Sequence, residues 1–470
     1  MCCVLGYAGH DLSKEKFTEL LMRTASRGPD DQRVAETEFG LLGFGRLAIM
    51  GLTPEGMQPF FRGNDCVVCN GELYGFRPVK KELEADGYTF ESDSDCEIIL
   101  PLYYKYGLDM FNHLDAEFAM ILYDSRKKWL IAARDPIGIR PLFYGYSESG
   151  HIAFASEAKN LIGLCKKIYP FPIGSYYCNG KFVRYCDISD TPAYNTDDMD
   201  TTLTKIREKL VAGVDKRLDA DTPVGFLLSG GLDSSLISAV CAKKMEQAGR
   251  QLMTFSVGYP ENDKYFRAGK FQPTSDSDFI GLMEEFLHSD HHLTELPPET
   301  LVSSLEEATV ARDLPGMADV DFSLLAFCRE IRKYVKVALS GECADEIFGG
   351  YPWYRDPEVR DRAGFPWAQN TIDRCNLLHP DLRAKLDGEA YVMEAYLKTC
   401  RESDVLPGCS PRERRMKEMV NLNFRWFMQT LLDRKDRMSM FSGLEVRVPF
   451  CDYRIAEYLY GVPWEYKDYQ

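Results

Sequence analysis

Residues 227–235 read LLSGGLDSS, and their types and spacing limit the chemistry more than any other stretch of the chain. An apolar, strand-favouring run from Val224 to Leu228 ends in Gly230 and Gly231, and helix periodicity begins near Ser234. The two glycines admit close backbone approach, the N–H groups at the helix start point at an anion, and Ser229, Ser234 and Ser235 add hydroxyl donors. Pyrophosphate fits such a cradle. Asp233 would repel bare phosphate, but it makes sense as the holder of a Mg²⁺ ion that bridges to phosphate oxygens. No Gly-Lys-Ser/Thr follows, so this is not a kinase-type loop. A second strand, residues 335–339, runs into SGECADEIFGGY at 340–351 and repeats the arrangement, setting Glu342 and Asp345 opposite Asp233. An acid-capped helix start with no ligand is the plain alternative. Two such turns in one domain favour the nucleotide.

A second kind of chemistry sits at the other end. Cys2 follows Met1, and removal of the initiator would give one residue both a thiol, reference pKa about 8.5, and an α-amine of about 7.7 to 8.0 able to act as its base. Alone, a cysteine at position 2 is weak evidence.

Two sets of elements must position these groups. Up to residue 190 the sequence is dominated by short apolar runs at 3–7, 40–49, 66–69, 118–123, 129–133, 142–146 and 152–155, with helical patterns at 13–26 and 95–106, which predicts a sheet-rich α+β domain. The acidic stretch DISDTPAYNTDDMD at 187–200 reads as a linker. Beyond it the pattern alternates: helix 202–217, strand to 228, helix to 247, strand 251–258, helix 279–287, strand 292–296. This predicts βαβ units and a mostly parallel sheet, with ligands at the carboxyl ends of its strands.

The bulk numbers exclude several classes. A chain of 470 residues, 45% hydrophobic, supports two or three cored domains. A net charge of −16 with no basic stripe argues against nucleic acid as a partner. No apolar stretch is long enough for a bilayer and no signal peptide opens the chain, so a soluble cytoplasmic protein is expected. Fifteen scattered cysteines without a secretion signal make disulfides improbable. Cys66 and Cys69 have metal-pair spacing but no completing partner, and His288, His291 and His292 fall where a helix gives way to a strand, which suits a structural role.

The Ser-Gly-Gly-x-Asp-Ser-Ser string resembles the pyrophosphate loop of the ATP pyrophosphatases, which adenylate a carboxylate or carbonyl. Upstream, RGPD at 27–30, GRLAI at 45–49, NGELYG at 70–75, SDCE at 94–97, ARDPIGIRPLFYG at 133–145 and ASEAK at 155–159 occur in an order similar to the glutaminase domain of N-terminal-nucleophile amidotransferases. Together they make essentially the whole chain resemble the glutamine-hydrolysing asparagine synthetases. The resemblance implies an αββα sandwich of the Ntn hydrolase type over 1–190, a linker over 191–200, and a Rossmann-like α/β synthetase domain over 201–470 that lacks the family's usual basic C-terminal segment. It implies that Cys2 attacks the glutamine amide, that Asn70 and the Gly71 N–H form the oxyanion hole, and that Arg46 takes the α-carboxylate while Glu72 and Asp95 take the ammonium. It makes Leu228 and Val257 neighbours of the adenosine, and Ser229, Gly230, Gly231, Leu232, Asp233, Ser234 and Ser235 the pyrophosphate cradle. Asp233 and Asp345 would hold Mg²⁺, with Ser340, Gly341 and Glu342 beside the acyl-adenylate. Lys435 and Arg437 would supply positive charge, Lys435 toward ATP and Arg437 toward the reacting centre. The substrates would be glutamine, aspartate and ATP, and a homodimer is the expected assembly.

Three departures stand out. Ser26 replaces a frequent His, Cys343-Ala344 replaces Gly-Ser, and DLPGMADVDFSLL at 313–325 lacks an arginine to face an aspartate carboxylate. The alternative reading is therefore a glutamine-dependent amidotransferase acting on another carboxylate. A ring-closing enzyme has no use for ammonia and would not need Cys2, Asn70 and Asp95. A non-enzymatic scaffold would not need either site.

Overall fold

The computed structural model describes residues 2–191, 193–269, 274–403 and 406–467, with the side chains of Ala318 and Asp319 outside the described set. The first half builds two six-stranded antiparallel sheets. One contains β1 (Cys3–Tyr7), β2 (Asp31–Thr37), β3 (Gly40–Arg46), β8 (Phe143–Ser147), β9 (Ile152–Ala155) and β10 (Cys165–Pro170), ordered β10-β8-β9-β1-β3-β2. The other contains β4 (Phe60–Arg62), β5 (Asp65–Leu73), β6 (Ala116–Asp124), β7 (Trp129–Arg134), β11 (Ser175–Cys178) and β12 (Lys181–Arg184), ordered β12-β11-β7-β6-β5-β4.

Side-chain alternation explains the layers. Along β5, Cys66 and Val68 face a core shared with Val4, Leu42, Phe44 and Phe154 of the first sheet. Val67 and Cys69 face the opposite way, among residues such as Ile99 and Leu102 of the helix Ile99–Tyr106. Cys66 and Cys69 thus lie on opposite faces and cannot share a metal. On the outside of the first sheet, Leu5 and Tyr7 pack with Phe17, Leu20 and Leu21 of the helix Lys14–Met22. The result is the expected αββα sandwich.

The second half centres on a five-stranded parallel sheet of β13 (Val224–Leu227), β14 (Met253–Gly258), β15 (Asp290–Glu295), β16 (Val337–Leu339) and β17 (Glu445–Arg447), ordered β15-β14-β13-β16-β17. The inner strand β16 is buried at every residue, as expected for a parallel strand covered on both faces. His291 Nδ1 bonds Thr254 Oγ1 at 2.9 Å and the His292 ring stacks on Phe255, so both are structural. Sequence periodicity does not reveal β2, β12 or the helix Phe76–Ala85. All four residues of β12 are exposed, and the helix buries only Phe76 and Leu83, so the apolar pattern is too sparse to read.

The two halves meet through buried ion pairs rather than apolar contact alone. Arg27 Nη1 lies 2.6 Å from Asp436 and 2.8 Å from Glu157, Arg437 Nη1 lies 2.8 Å from Glu157, and Arg447 Nη2 lies 3.0 Å from Glu72. The positive neighbours pull two of these acids down: Asp436 falls below its ordinary range, and Glu157 falls from 4.5 to about 2 because Arg437, Arg27 and Lys159 outweigh the cost of burial. Removing one member of such a cluster strands the others in low dielectric, a loss of about 3–5 kcal/mol. Asp436→Asn should therefore destabilise the protein by that order in urea unfolding, whereas Glu19→Gln, which breaks an exposed pair with Lys16, should leave it almost unchanged. Because the folded Glu157 carboxyl titrates below its unfolded value, its contribution is present above about pH 4.5 and is lost as pH falls toward about 2. Acid unfolding midpoints would register this.

Candidate active sites

The first site is a cavity lined by Cys2, Arg46, Gly71, Glu72, Asp95 and, from the other half of the chain, Glu445. The turn between Ala25 and Gly28 brings Arg27 under the nucleophile, where its Nε donates to the Cys2 carbonyl at 3.3 Å. The Cys2 nitrogen donates to Asn70 Oδ1 at 3.0 Å, and Asn70 Nδ2 is left buried with no hydrogen-bond partner among the described residues. Burial pushes the Cys2 thiol from 9.0 up to about 12, so it stays protonated near neutral pH without a base. A side chain at Gly71 would strike the Glu117 carbonyl at 2.3 Å, which explains the glycine.

Arg46 is held by the carbonyls of Gly51 and Thr53, the latter at 2.9 Å. Asp95 accepts from the Leu73 N–H at 2.7 Å, yet burial dominates and raises its carboxyl from 3.8 to about 6. Burial also pushes Glu72 well up, with Arg447 pulling the other way and Asp95 reinforcing the rise. Two acids in one dry chamber suit a substrate ammonium.

The second site lies at the carboxyl ends of the parallel strands. Leu228, Ser229, Gly231, Asp233, Ser234, Val257, Ser340, Gly341 and Glu342 line one crevice. The loop after β13 is shaped by its own serines: Ser229 N donates to Ser234 Oγ at 3.2 Å, and the two hydroxyls are 3.0 Å apart. Gly230 has φ +76°, and a side chain there would meet Phe279 and Ile280 at under 3 Å. The helix Leu232–Gln247 starts at this turn and offers its N-terminal N–H groups to the crevice. Gly341 brings the second loop against the first, since a Cβ there would lie 2.8 Å from Ser234 N. Asp345 and Asp233 are close enough that Asp345, after burial, raises the Asp233 carboxyl to about 6. This mutual repulsion is what a bound divalent cation relieves.

Several expected members fall elsewhere. Leu232 is 82% exposed, and Gly230, Ser235 and Asp345 are outside the crevice lining. Lys435 and Arg437 are corrected more firmly: Lys435 Nζ donates to the Val446 carbonyl at 3.0 Å, and the buried Arg437 pairs with Glu157, Asp433 and Asp313. Both head groups are held within the fold, because Lys435 and Arg437 turn inward while their neighbour Arg434 does not. Arg434 Nη2 donates to Glu342 Oε1, a lining residue of the crevice, at 3.2 Å. Sequence reasoning passed over Arg434 within RKDRMSM, and missed Glu445 and Arg447, two charged residues of a strand only three residues long.

A buried thiol with an amide donor beside it, joined to a parallel-sheet domain with paired loops for an anion, defines an amidotransferase coupled to an adenylating domain. Comparison with known families agrees: residues 1–182 match a model described as a glutamine amidotransferase domain, and residues 205–469 match asparagine synthase. The chain belongs to the asparagine synthase family. It is 39% identical to asparagine synthetase (glutamine-hydrolyzing) 3 of Bacillus subtilis (strain 168), over 99% of this chain and 82% of that one. A probable asparagine synthetase (glutamine-hydrolyzing) of Schizosaccharomyces pombe is 34% identical over 84% and 73%, and asparagine synthetase (glutamine-hydrolyzing) 2 of Arabidopsis thaliana is 30% identical over 93% and 76%.

The raised Asp95 carboxyl has a sign that can be tested. Its folded value exceeds its unfolded one, so the group costs nothing below about pH 4 and destabilises the empty protein increasingly as pH rises to about 6. Asp95→Asn should raise stability at pH 7.5 by about 1–3 kcal/mol, with the gain vanishing near pH 4, while glutamine KM rises at least tenfold. Melting curves at the two pH values and glutaminase kinetics check both halves.

Proposed function

We propose that the two sites form one reaction path: glutamine is hydrolysed at Cys2, and the ammonia released amidates aspartate activated by ATP, giving asparagine, AMP and pyrophosphate. The observation that carries the first step is Asn70, which holds the Cys2 nitrogen through Oδ1 and keeps Nδ2 as a buried donor without an acceptor. With Met1 removed, that nitrogen is an α-amine able to take the thiol proton. The thiolate adds to the side-chain carbonyl of glutamine, Asn70 Nδ2 and the Gly71 N–H receive the oxyanion, and collapse expels ammonia and leaves a thioester for water to cleave. Arg46 faces the substrate carboxylate, and Glu72 and Asp95 its ammonium.

In the crevice, the Ser229–Ser235 turn and the helix start bind the pyrophosphate, with Leu228 and Val257 against the adenosine. The aspartate side-chain carboxylate attacks the α-phosphorus, forming β-aspartyl-adenylate beside Ser340 and Gly341. Mg²⁺, held by Asp233 and Asp345, would neutralise charge on the departing pyrophosphate. Glu342, steered by Arg434, accepts a proton from the nitrogen as the amide forms. Ammonia stays nucleophilic only while unprotonated, so a sheltered passage between the chambers belongs to this reading.

Among the described residues no helix is long and apolar enough to cross a membrane. We place the enzyme in the cytoplasm, where ATP and a reduced Cys2 coexist. The homodimer rests on the family resemblance, and sedimentation mass tests it. Another acceptor carboxylate is the second reading, because the segment 313–325 supplies no arginine of its own. Incubation with ATP, Mg²⁺, glutamine and a panel of acidic amino acids should show AMP and asparagine only with aspartate; AMP driven by another acid would replace the acceptor. Cys2→Ala should lower glutamine-dependent synthesis more than about 10³-fold while ammonium salts still support it, and Asn70→Ala should cost about 10²- to 10³-fold in glutaminase rate.

A further inference from the structure

The glutamine chamber is completed by the other domain. Strand β17 contributes Glu445 to its wall, and two residues on, Arg447 is fully buried. The Arg447 guanidinium is clamped on its own side: Nε donates to Glu445 Oε1 at 2.7 Å, and Nη1 donates to the carbonyls of Arg217 at 2.9 Å and Asp219 at 2.7 Å. The remaining nitrogen, Nη2, is presented across the joint and lies 3.0 Å from Glu72 Oε2. Four synthetase-domain anchors thus fix one charge against a single glutaminase carboxylate, counting the backbone tie in which the Ser340 N–H donates to the Arg447 carbonyl at 2.9 Å. A guanidinium fork held this rigidly loses little freedom on pairing. An interface contact needing only charge balance would not require it, since Glu445 already neutralises Arg447.

We propose that Arg447 is a positioning residue of the glutaminase reaction: from the synthetase domain it holds Glu72 as an oriented carboxylate for the α-ammonium of glutamine. The inference rests on the amidotransferase reading above and adds a dependence of glutamine binding on a residue outside the glutaminase domain. Arg447 touches neither substrate in this role; it acts through Glu72. Arg447 opposes the burial and the neighbouring Asp95 and Glu445 that push Glu72 toward its protonated form, so its removal leaves that push unopposed and weakens the counter-ion for the substrate cation.

The test uses the full chain with Arg447→Met, Arg447→Lys, Glu72→Gln and the Arg447→Met/Glu72→Gln pair, measuring glutamate release from glutamine and, separately, ammonium-dependent asparagine synthesis. Arg447→Met should raise glutamine KM by about 10- to 100-fold with glutaminase kcat within about threefold, and Arg447→Lys should recover most of the KM. The Met variant should also show a glutamine KM that depends more steeply on pH than that of the unsubstituted enzyme, falling as pH rises, because Glu72 then ionises without its partner beside Asp95 and Glu445, a dependence that a merely loosened interface would not produce. In the Glu72→Gln background the second substitution should add less than threefold. An unchanged KM in Arg447→Met, equal losses in both backgrounds, or parallel loss of ammonium-dependent synthesis would overturn the proposal. Failure of the underlying reaction shows differently, as absence of aspartate-dependent AMP in the unsubstituted enzyme.

Discussion

A cluster of buried arginines and carboxylates at the joint between the domains is the constraint on which both sites depend. Arg27, Arg140, Arg437 and Arg447 are each almost fully buried, and each reaches an acid across or along the joint. Taking so many charges out of water is expensive and is recovered only when geometry is complete. The domains therefore cannot slide past one another without exposing uncompensated charge. Arg27 ties the Cys2 carbonyl to the joint, donating to it with one nitrogen and to Asp436 with another. Placement of Cys2 and docking of the domains are therefore linked through one side chain.

In the crevice, by contrast, backbone proximity does the positioning. Gly341 lets one loop lie against the amide of Ser234 in the other, and Gly230 turns with a positive φ against Phe279 and Ile280. The serine hydroxyls of the first loop bond one another and its backbone, so the turn is already shaped without ligand. A turn preorganised in this way has little ordering cost to meet on binding an anion.

Much of this was legible in the sequence, and the exceptions share a cause. Strands β1 and β9 and the end of the helix Leu232–Gln247 follow directly from apolar runs and turn residues, since local periodicity reports which face is buried. The two chambers follow from residue chemistry at strand ends. What the sequence hides is which way a helix or strand faces across the joint. Lys435 and Arg437 look like phosphate ligands beside Arg434, yet neighbouring helical positions point in different directions, and only tertiary contact shows that Arg434 pairs with Glu342 at the crevice while Arg437 pairs with Glu157 at the interface. In the same way RGPD and ASEAK, whose order carried the resemblance, supply Arg27 and Glu157 to the joint rather than side chains to either cavity. A motif reports that a residue matters, and only tertiary contact tells what it matters to.

Electrostatics divides the buried acids into two populations. At the joint, Glu157, Asp436 and Glu445 are pulled down by arginines and are satisfied in the empty protein. In the chambers, Glu72, Asp95, Asp233 and Asp345 are pushed up by burial, and three of them also by a neighbouring acid. Acids raised in this way favour a positively charged partner. Glu72 belongs to both populations at once, raised by its chamber and steadied by Arg447, which makes it the point where the docking energy of the domains is converted into affinity for substrate.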